Sequence, residues 1–205
     1  HQEARRQRQM CIRDSPRGGK SLVEKVQKNA RVPVFSHLEG ICHIYVDQFA
    51  KLEKSCSVVI NGKMRRTGIC GATETLLVNE HIAKKFLPKI CSELNEKGCE
   101  IVGDEVTKSI VPYIDPAIEE DWSTEYLAPK ISIKVVGDVY DAIEHIQTFG
   151  TQHTDAIMTE NEEIAKVFTN AVDSAIVLVN ASTQFADGGE FGLGAEIGIL
   201  SLIHI

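Results

Sequence analysis

The chain has 205 residues, of which 43% are hydrophobic and 25% are charged, so its composition is that of an ordinary globular protein. This length suffices for one large domain or two small ones. The formal net charge of −7 argues against nucleic acid or an anionic membrane as the main partner. The sequence has no run of about 18 apolar residues, so we predict no membrane-spanning helix. The six cysteines form no C-x-x-C pair, which predicts reduced thiols and a cytoplasmic location.

From residue 16 onward, short apolar runs alternate with segments of helical periodicity. The pattern predicts a helix opened by Ser21 and further helices near 49–60, 82–94, 139–149 and 161–171. Gly98 occupies the position of a helix C-cap. Strands are predicted at 32–35, 43–46, 75–78, 100–102, 131–136, 155–159 and 175–180. Strands separated by helices predict an α/β fold, with a parallel sheet covered by helices on both faces.

Cys70 stands in the segment RRTGICGATET, where the glycines on both sides predict a loop that enters a strand. A loop is a place where a thiol can meet a substrate, and Lys63, Arg65 and Arg66 could favour the reactive thiolate. A buried structural thiol is the alternative for any single cysteine. Cys42 and His43 lack the usual spacing of zinc ligands, and His37 with Glu39 fits a structural hydrogen bond as well as an acid–base pair.

Two glycine-containing segments could approach a ligand closely. Residues 181–198 contain five glycines, and a loop of this kind on an open α/β sheet lies where ligands usually bind. The alternative is a connecting loop that binds no ligand. The stretch PRGGKS at 16–21 opens a predicted helix and could present backbone N–H groups to a phosphate. It lacks the longer glycine-to-lysine spacing of a Walker A loop.

Five segments occur in the order PRGGKSLVEKVQKNARVPVFSHLEGICHIYVD, GICGATETLLV, DWSTEYLAPKISIKVV, FGTQHTDAIMTE and VDSAIVLVNASTQFADGGEFGLGAEIGI. Together they resemble the γ-glutamyl phosphate reductases, also called glutamate-5-semialdehyde dehydrogenases, of the aldehyde dehydrogenase superfamily. The resemblance covers about residues 16–199. It implies an aldehyde dehydrogenase-like fold, with parallel sheets flanked by helices, in which a truncated cofactor domain precedes a catalytic domain.

The resemblance implies NADPH-dependent reduction of L-glutamyl 5-phosphate to L-glutamate 5-semialdehyde in proline biosynthesis. Cys70 would be the nucleophile that forms a thioester and releases phosphate, with its own backbone N–H as one oxyanion donor. Gly18, Gly19 and Lys20 fall at the family's second cofactor loop. Glu125 resembles the superfamily glutamate that holds the nicotinamide ribose. No metal is implied.

The resemblance also implies a set of pocket residues for the substrate, and these are His153, Asp155, Asn180, Ser182 and Thr183. Glu39 falls where hydrolytic aldehyde dehydrogenases keep their general base, a role that an acyl-phosphate reductase does not need. Family members form homo-oligomers, and glutamate 5-kinase is the expected pathway partner.

Residues 1–15 and 200–205 match nothing in the family, so we interpret them as foreign sequence joined to an internal fragment. Residues 16–54 are expected to end the cofactor-binding domain, 55–180 to form the catalytic domain, and 181–199 to return towards the cofactor domain. Two alternatives stay open. One is a related aldehyde dehydrogenase that oxidises an aldehyde, which would not depend on phosphate. The other is an inert fragment of the reductase.

Overall fold

A seven-stranded parallel sheet forms the centre of the part of the chain that the computed structural model describes, residues 20–31, 39–190 and 192. The strands follow the order β4-β3-β5-β2-β1-β6-β7 across the sheet, and every neighbouring pair is parallel. In chain order they are β1 Cys42–Val46, β2 Thr73–Asn79, β3 Glu100–Gly103, β4 Asp115–Pro116, β5 Lys130–Val136, β6 Thr154–Met158 and β7 Ile176–Val179.

Helices lie between the strands along the chain, except for the first helix, which precedes β1. They are α1 Lys20–Asn29, α2 Leu52–Met64, α3 Glu80–Glu96, α4 Glu105–Ile110, α5 Val139–Phe149 and α6 Glu162–Ala171, with short 3₁₀ turns at Glu119–Ser123 and Thr183–Phe185. Asn79, Asp104, Asp138 and Asn161 cap α3 to α6 through side-chain oxygens that accept first-turn N–H groups. Gly98 ends α3 with φ +77°, and the Cys99 N–H donates to the Leu94 carbonyl, as in a Schellman motif.

The sheet buries apolar side chains on both faces, as the sequence predicts. Ile44, Val46, Leu76 and Val78 pack against α2 and α3, whereas Tyr45 and Leu77 point the other way and pack against α5 and α6. This alternation follows from the two-residue period of a strand. Because both faces are covered, residues 44–46 of β1 and 76–78 of β2 are buried apolar runs, whereas the polar residues Lys130, Ser132 and Lys134 alternate with apolar ones along β5.

The structure confirms the predicted α/β fold and shifts several element boundaries by one to four residues. The 139–149 helix is found as predicted, whereas the 155–159 strand begins and ends one residue earlier. The polar stretch after residue 104 holds the short helix α4 and the two-residue strand β4, which the sequence analysis missed. The strand predicted at 32–35 lies outside the described residues.

The chain divides into two compact units, one made of Gly40–Glu196 and the other of His1–Glu39 with Ile197–Ile205. Within the described residues, the second unit contains α1, and the first contains the whole sheet. The assignment of 16–54, 55–180 and 181–199 to cofactor-binding and catalytic domains stays a prediction. None of the described helices is long and apolar enough to cross a membrane.

Candidate active site around Cys70

Cys70 lies in the loop between α2 and β2, three residues before β2 begins, and its side chain is partly exposed. The strand polarity places this loop at the edge of the sheet where the strands begin. It therefore differs from the carboxyl edge, where ligands of open α/β sheets usually bind. The β1–β2 register slips between the Cys42–Thr73 and His43–Thr75 pairs, which leaves Glu74 as an extra residue in β2. Such bulges are frequent beside active sites, because they redirect side chains.

Gly40 lets the chain pass directly against the loop that carries Cys70. A Cβ atom added at Gly40 would lie 2.3 Å from the Cys70 carbonyl oxygen and 2.9 Å from the Cys70 Cβ. These separations are shorter than carbon contacts in proteins allow, so only glycine fits. The requirement is non-local, because the two residues come together only through the pairing of β1 with β2.

A buried thiol contacts Cys70 from β1. The Cys42 Sγ donates to the Cys70 carbonyl oxygen at 3.1 Å, and the His153 Nδ1 lies 3.5 Å from the same sulfur. Burial raises the pKa of Cys42 well above its usual range, and the negative charge of Asp155 raises it further. Cys42 therefore remains a protonated thiol at neutral pH. The structure thus brings together Cys70, Cys42 and His153.

The turn after β7 also packs against the loop that carries Cys70. The Thr183 and Thr73 hydroxyls form a hydrogen bond of 2.9 Å, and a Cβ atom at Gly71 would lie 3.3 Å from the Thr183 carbonyl oxygen. The buried Gln184 amide donates to the Gly62 carbonyl at 2.8 Å and to the Arg66 carbonyl at 3.0 Å. The end of α2 and the start of the loop are therefore held by one side chain.

Glu125 lies beside the segment that carries Gly40. Its Oε1 accepts the Gly40 N–H at 2.8 Å, and none of the described residues is seen to donate to its Oε2. The carboxylate is therefore oriented by the backbone next to Cys70, while one oxygen can accept a hydroxyl of a ligand. The predicted cofactor residue Glu125 and the predicted nucleophile Cys70 thus contact the same glycine.

Two of the three positive charges expected to favour the Cys70 thiolate form ion pairs with other residues. Lys63 is fully buried and forms an ion pair with Glu74, and Arg65 forms an ion pair with Glu190. Arg66 is exposed. Burial raises the pKa of Glu74 to about 7, although the Lys63 ammonium opposes this shift. Glu74 also accepts the Leu127 N–H at 3.4 Å, so this pair supports the segment that carries Glu125.

The predicted substrate residues do not all gather at Cys70. Both oxygens of Asp155 are used inside the protein, because Oδ1 accepts from the His43 backbone N–H and ring and Oδ2 accepts from the Ser174 hydroxyl. Asn180 adopts φ +56° at the carboxyl end of β7 and exchanges two hydrogen bonds with the Thr159 backbone. Asn180 therefore lies at the other edge of the sheet from Cys70.

Ser182 accepts the Gln184 N–H through its hydroxyl and so fixes the turn that carries Thr183. Of the five predicted substrate residues, His153 and Thr183 contact the immediate surroundings of Cys70. Among the described residues, no group of three or more histidine, cysteine and carboxylate side chains could hold a metal ion.

The predicted phosphate loop is only partly described. Gly18 and Gly19 lie outside the described residues, as does His37, whereas Lys20 is the first residue of α1. A helix that begins directly after two glycines leaves the N–H groups of its first turn without carbonyl partners in the helix. Sequence reasoning missed Gly40, Cys42 and Gln184, whose contacts with the loop join positions 28 to 118 residues apart along the chain.

Comparison with known proteins identifies relatives of this chain. It is 58% identical over 184 residues to the γ-glutamyl phosphate reductase of Parvibaculum lavamentivorans, a match that covers 90% of this chain and 43% of the relative. The chain is a relative of the γ-glutamyl phosphate reductases. A match of 184 residues in a chain of 205 must include residues 22–184, so the similarity to the reductases extends over Cys70, Glu125 and Thr183.

Solved structures agree with this relationship. The crystal structure of the γ-glutamyl phosphate reductase from Thermotoga maritima superposes with a TM-score of 0.91 at 51% identity, covering 95% of this chain and 47% of that protein. An acetylating aldehyde dehydrogenase from Geobacillus thermoglucosidasius superposes with a TM-score of 0.67 at 20% identity, covering 92% of this chain and 49% of that protein, which shows the shared fold alone. No protein-family profile matches the chain. The chain spans about 43% of the length of its relative from Parvibaculum.

Proposed function

We propose that this chain carries the nucleophile of a γ-glutamyl phosphate reductase, which reduces L-glutamyl 5-phosphate to L-glutamate 5-semialdehyde with release of phosphate. The observation that carries the proposal is the 58% identity to the Parvibaculum reductase over 184 residues, a match that includes Cys70. The partly exposed Cys70 in its loop, held by Gly40 and Cys42, supports the choice of nucleophile. The reaction would belong to proline biosynthesis.

In the first half of the proposed reaction, the Cys70 thiolate attacks the acyl carbonyl of glutamyl phosphate. The new carbon–sulfur bond gives a thioester, and the carbon–oxygen bond to phosphate breaks, so the leaving group takes the electron pair. A thiolate suits this step because it is a strong nucleophile, and the resulting thioester accepts hydride more readily than a carboxylate. The backbone N–H of Cys70 is one proposed donor to the tetrahedral oxyanion.

The cofactor proposed for the second half is NADPH, whose chemistry is the transfer of hydride to the thioester carbonyl. Glu125 fits the nicotinamide ribose, because its Oε1 is held by Gly40 and its Oε2 can accept a ribose hydroxyl. The first turn of α1, which begins at Lys20 after Gly18 and Gly19, suits a phosphate group. When the carbonyl is reduced, the carbon–sulfur bond breaks, and Cys70 leaves as a thiolate.

Substrate contacts are proposed for the residues that surround Cys70. His153 and Thr183 can face the bound glutamyl group, since His153 contacts Cys42, which holds the Cys70 carbonyl, and Thr183 lies beside Gly71. Asp155, Asn180 and Ser182 are engaged by protein partners, which favours a supporting role in shaping the pocket. A homo-oligomeric enzyme and a partnership with glutamate 5-kinase are proposals drawn from the resemblance, as is a cytoplasmic location.

The reverse reaction tests the proposal. The 184 matched residues would replace their counterparts in the Parvibaculum relative to give a hybrid protein. Reduction of NADP by glutamate 5-semialdehyde would be followed by the absorbance of the reduced nicotinamide, with and without phosphate. We expect phosphate-dependent activity that Cys70→Ser abolishes, because a hydroxyl is a far weaker nucleophile. The Cys99→Ser variant, which changes a buried thiol elsewhere, is the matched control.

Two results would contradict the proposal. Activity that needs no phosphate would indicate an aldehyde dehydrogenase that hydrolyses its thioester, and full activity of Cys70→Ser would remove Cys70 from the mechanism. The 205-residue chain is measured beside the hybrid protein. A lack of cofactor binding by the chain itself, with an active hybrid, would support the inert-fragment alternative for this chain alone.

A further inference from the structure

We propose that Cys42 is a positioning residue whose thiol holds the Cys70 carbonyl and thereby fixes the direction in which the loop presents the nucleophile. The inference rests on the proposed role of Cys70 as the nucleophile. It assigns a function to a cysteine that the sequence indicated only as a weak zinc ligand. Its basis is the 3.1 Å contact between the Cys42 Sγ and the Cys70 carbonyl oxygen.

The direction of this hydrogen bond follows from the atoms involved. A carbonyl oxygen can only accept, so the single thiol proton of Cys42 must lie between the sulfur and that oxygen. The His153 Nδ1, 3.5 Å from the same sulfur, can then act only as a donor towards it. Because Cys42 is completely buried, the thiol stays protonated at neutral pH and keeps this donor.

Cys42 is held more firmly than the loop it contacts. The residue belongs to β1, an inner strand that pairs with β2 on one side and β6 on the other. The two residues before it are also fixed, because Glu125 accepts the Gly40 N–H and the Thr151 hydroxyl accepts the Ile41 N–H at 2.9 Å. The hydrogen bond therefore anchors the loop to the sheet, and the loop does not determine the position of Cys42.

The anchored group determines the geometry of the nucleophile. The carbonyl belongs to the planar peptide unit between Cys70 and Gly71, so fixing the oxygen fixes ψ of Cys70. Gly40 allows the backbones to approach closely enough for this contact, since any side chain there would collide with the same oxygen. Without the thiol donor, the loop could rotate this peptide unit, and the Cys70 thiol would lose its defined direction.

The sequence offers a selective probe of this carbonyl. Cys70–Gly71 is the only cysteine–glycine pair in the chain, so labelling cysteine carbonyls with ¹³C and glycine amides with ¹⁵N leaves one HNCO peak. We expect an upfield shift of its ¹³C frequency in Cys42→Ala and Cys42→Val, which lack a donor. Cys42→Ser keeps a hydroxyl donor and should leave the frequency close to that of the unmodified chain.

Alkylation of Cys70 measures the consequence for the thiol. We expect iodoacetamide to modify Cys70 about fivefold faster in Cys42→Ala, the factor expected when one ordinary hydrogen bond no longer restrains the loop. Peptide mass spectrometry separates Cys70 from the other cysteines, and Cys42→Ser should restore the original rate. This rescue distinguishes positioning by a hydrogen-bond donor from simple filling of space. Cys42→Val fills the space without a donor, so it should react as fast as Cys42→Ala.

The proposal is overturned if the HNCO peak and the alkylation rate are the same in the Ala and Val variants as in the unmodified chain. It is equally overturned if Cys42→Ser changes both quantities as much as Cys42→Ala. Neither measurement uses substrate or cofactor, so its outcome is independent of the reductase assay. Failure of the proposed function would appear instead as full activity of Cys70→Ser.

Discussion

At the scale of single residues, two glycines near Cys70 differ sharply in the space around them. A side chain at Gly40 would overlap the Cys70 carbonyl, whereas a Cβ at Gly68 would meet its nearest neighbour, the Leu127 carbonyl oxygen, at 3.9 Å. We expect Gly40→Ala to reduce the free energy of unfolding by about 1–3 kcal/mol, the usual cost of overpacking, and to displace Cys70, the proposed nucleophile.

Urea unfolding and the reductase activity of the hybrid protein measure these two effects. Gly68→Ala, in the same loop as Cys70, is the matched control and should change stability by less than about 0.5 kcal/mol. Equal behaviour of the two variants would show that Gly40 does not have to approach Cys70 closely.

The sequence indicates Cys70 as the proposed nucleophile, but it does not indicate the residues that support the Cys70 loop. Cys70 is flanked by glycines in a segment that resembles one family, so both local chemistry and resemblance indicate it. The role of Gly40 and Cys42 depends on two backbones that meet 28 or more residues apart, and no spacing in the sequence encodes that contact. The pairing of Lys63 with Glu74 was missed for a related reason, because a bulge in β2 determines where Glu74 points.

At the scale of elements, α5 packs a histidine against the sheet. His145 contacts the rings of His43, Trp122 and Phe149, and its Nδ1 lies 3.3 Å from the Lys134 ammonium. Burial lowers the pKa of His145 to about 3, with smaller contributions from the charges of His43 and Lys134. The neutral imidazole is therefore part of the folded α5–sheet contact.

This packing predicts a loss of stability in acid. The pKa of His145 is lower in the folded state than the usual value of 6.5, so between pH 6.5 and about 3 the unfolded chain binds a proton that the folded chain excludes. The contribution of His145 to the free energy of unfolding is complete above pH 6.5. It falls by about 2 kcal/mol when the pH is lowered to 5.

Urea unfolding at pH 7 and pH 5 tests the effect in His145→Gln. Between pH 7 and pH 5, the free energy of unfolding of the variant should fall by about 2 kcal/mol less than that of the unmodified chain. The exposed His81 provides the control variant His81→Gln, which should follow the unmodified chain. Identical pH dependence in all three proteins would contradict the assignment of a neutral, buried His145.

Periodicity predicted most of these elements because their apolar residues recur at the helical or strand period. Val139–Phe149 begins and ends at the predicted residues, and Asp138 supplies the cap that such a helix needs. The α4 helix has only six residues and β4 only two, which is too short for a period to appear. The Asp104 cap was the one available signal for α4.

At the scale of the whole molecule, the order of the strands in the sheet could not be predicted from the sequence. The alternation of strands and helices predicted a parallel sheet, but not that β5 separates β3 from β2 or that β1 lies between β2 and β6. That order brings the amino ends of β1, β2 and β6 together, and with them Cys42, Cys70 and His153. The candidate site is therefore a product of topology, although each of its residues stands in a recognisable local segment.

The most direct test of the account is to capture the thioester on Cys70. The hybrid protein would be incubated with glutamate 5-semialdehyde and NADP without phosphate, and its peptides would be analysed by mass spectrometry. The account predicts a glutamyl group on Cys70 that accumulates, because no phosphate is present to accept it, and that disappears when phosphate is added. An active protein with no acyl group on Cys70, or with the group on another residue, would contradict the account.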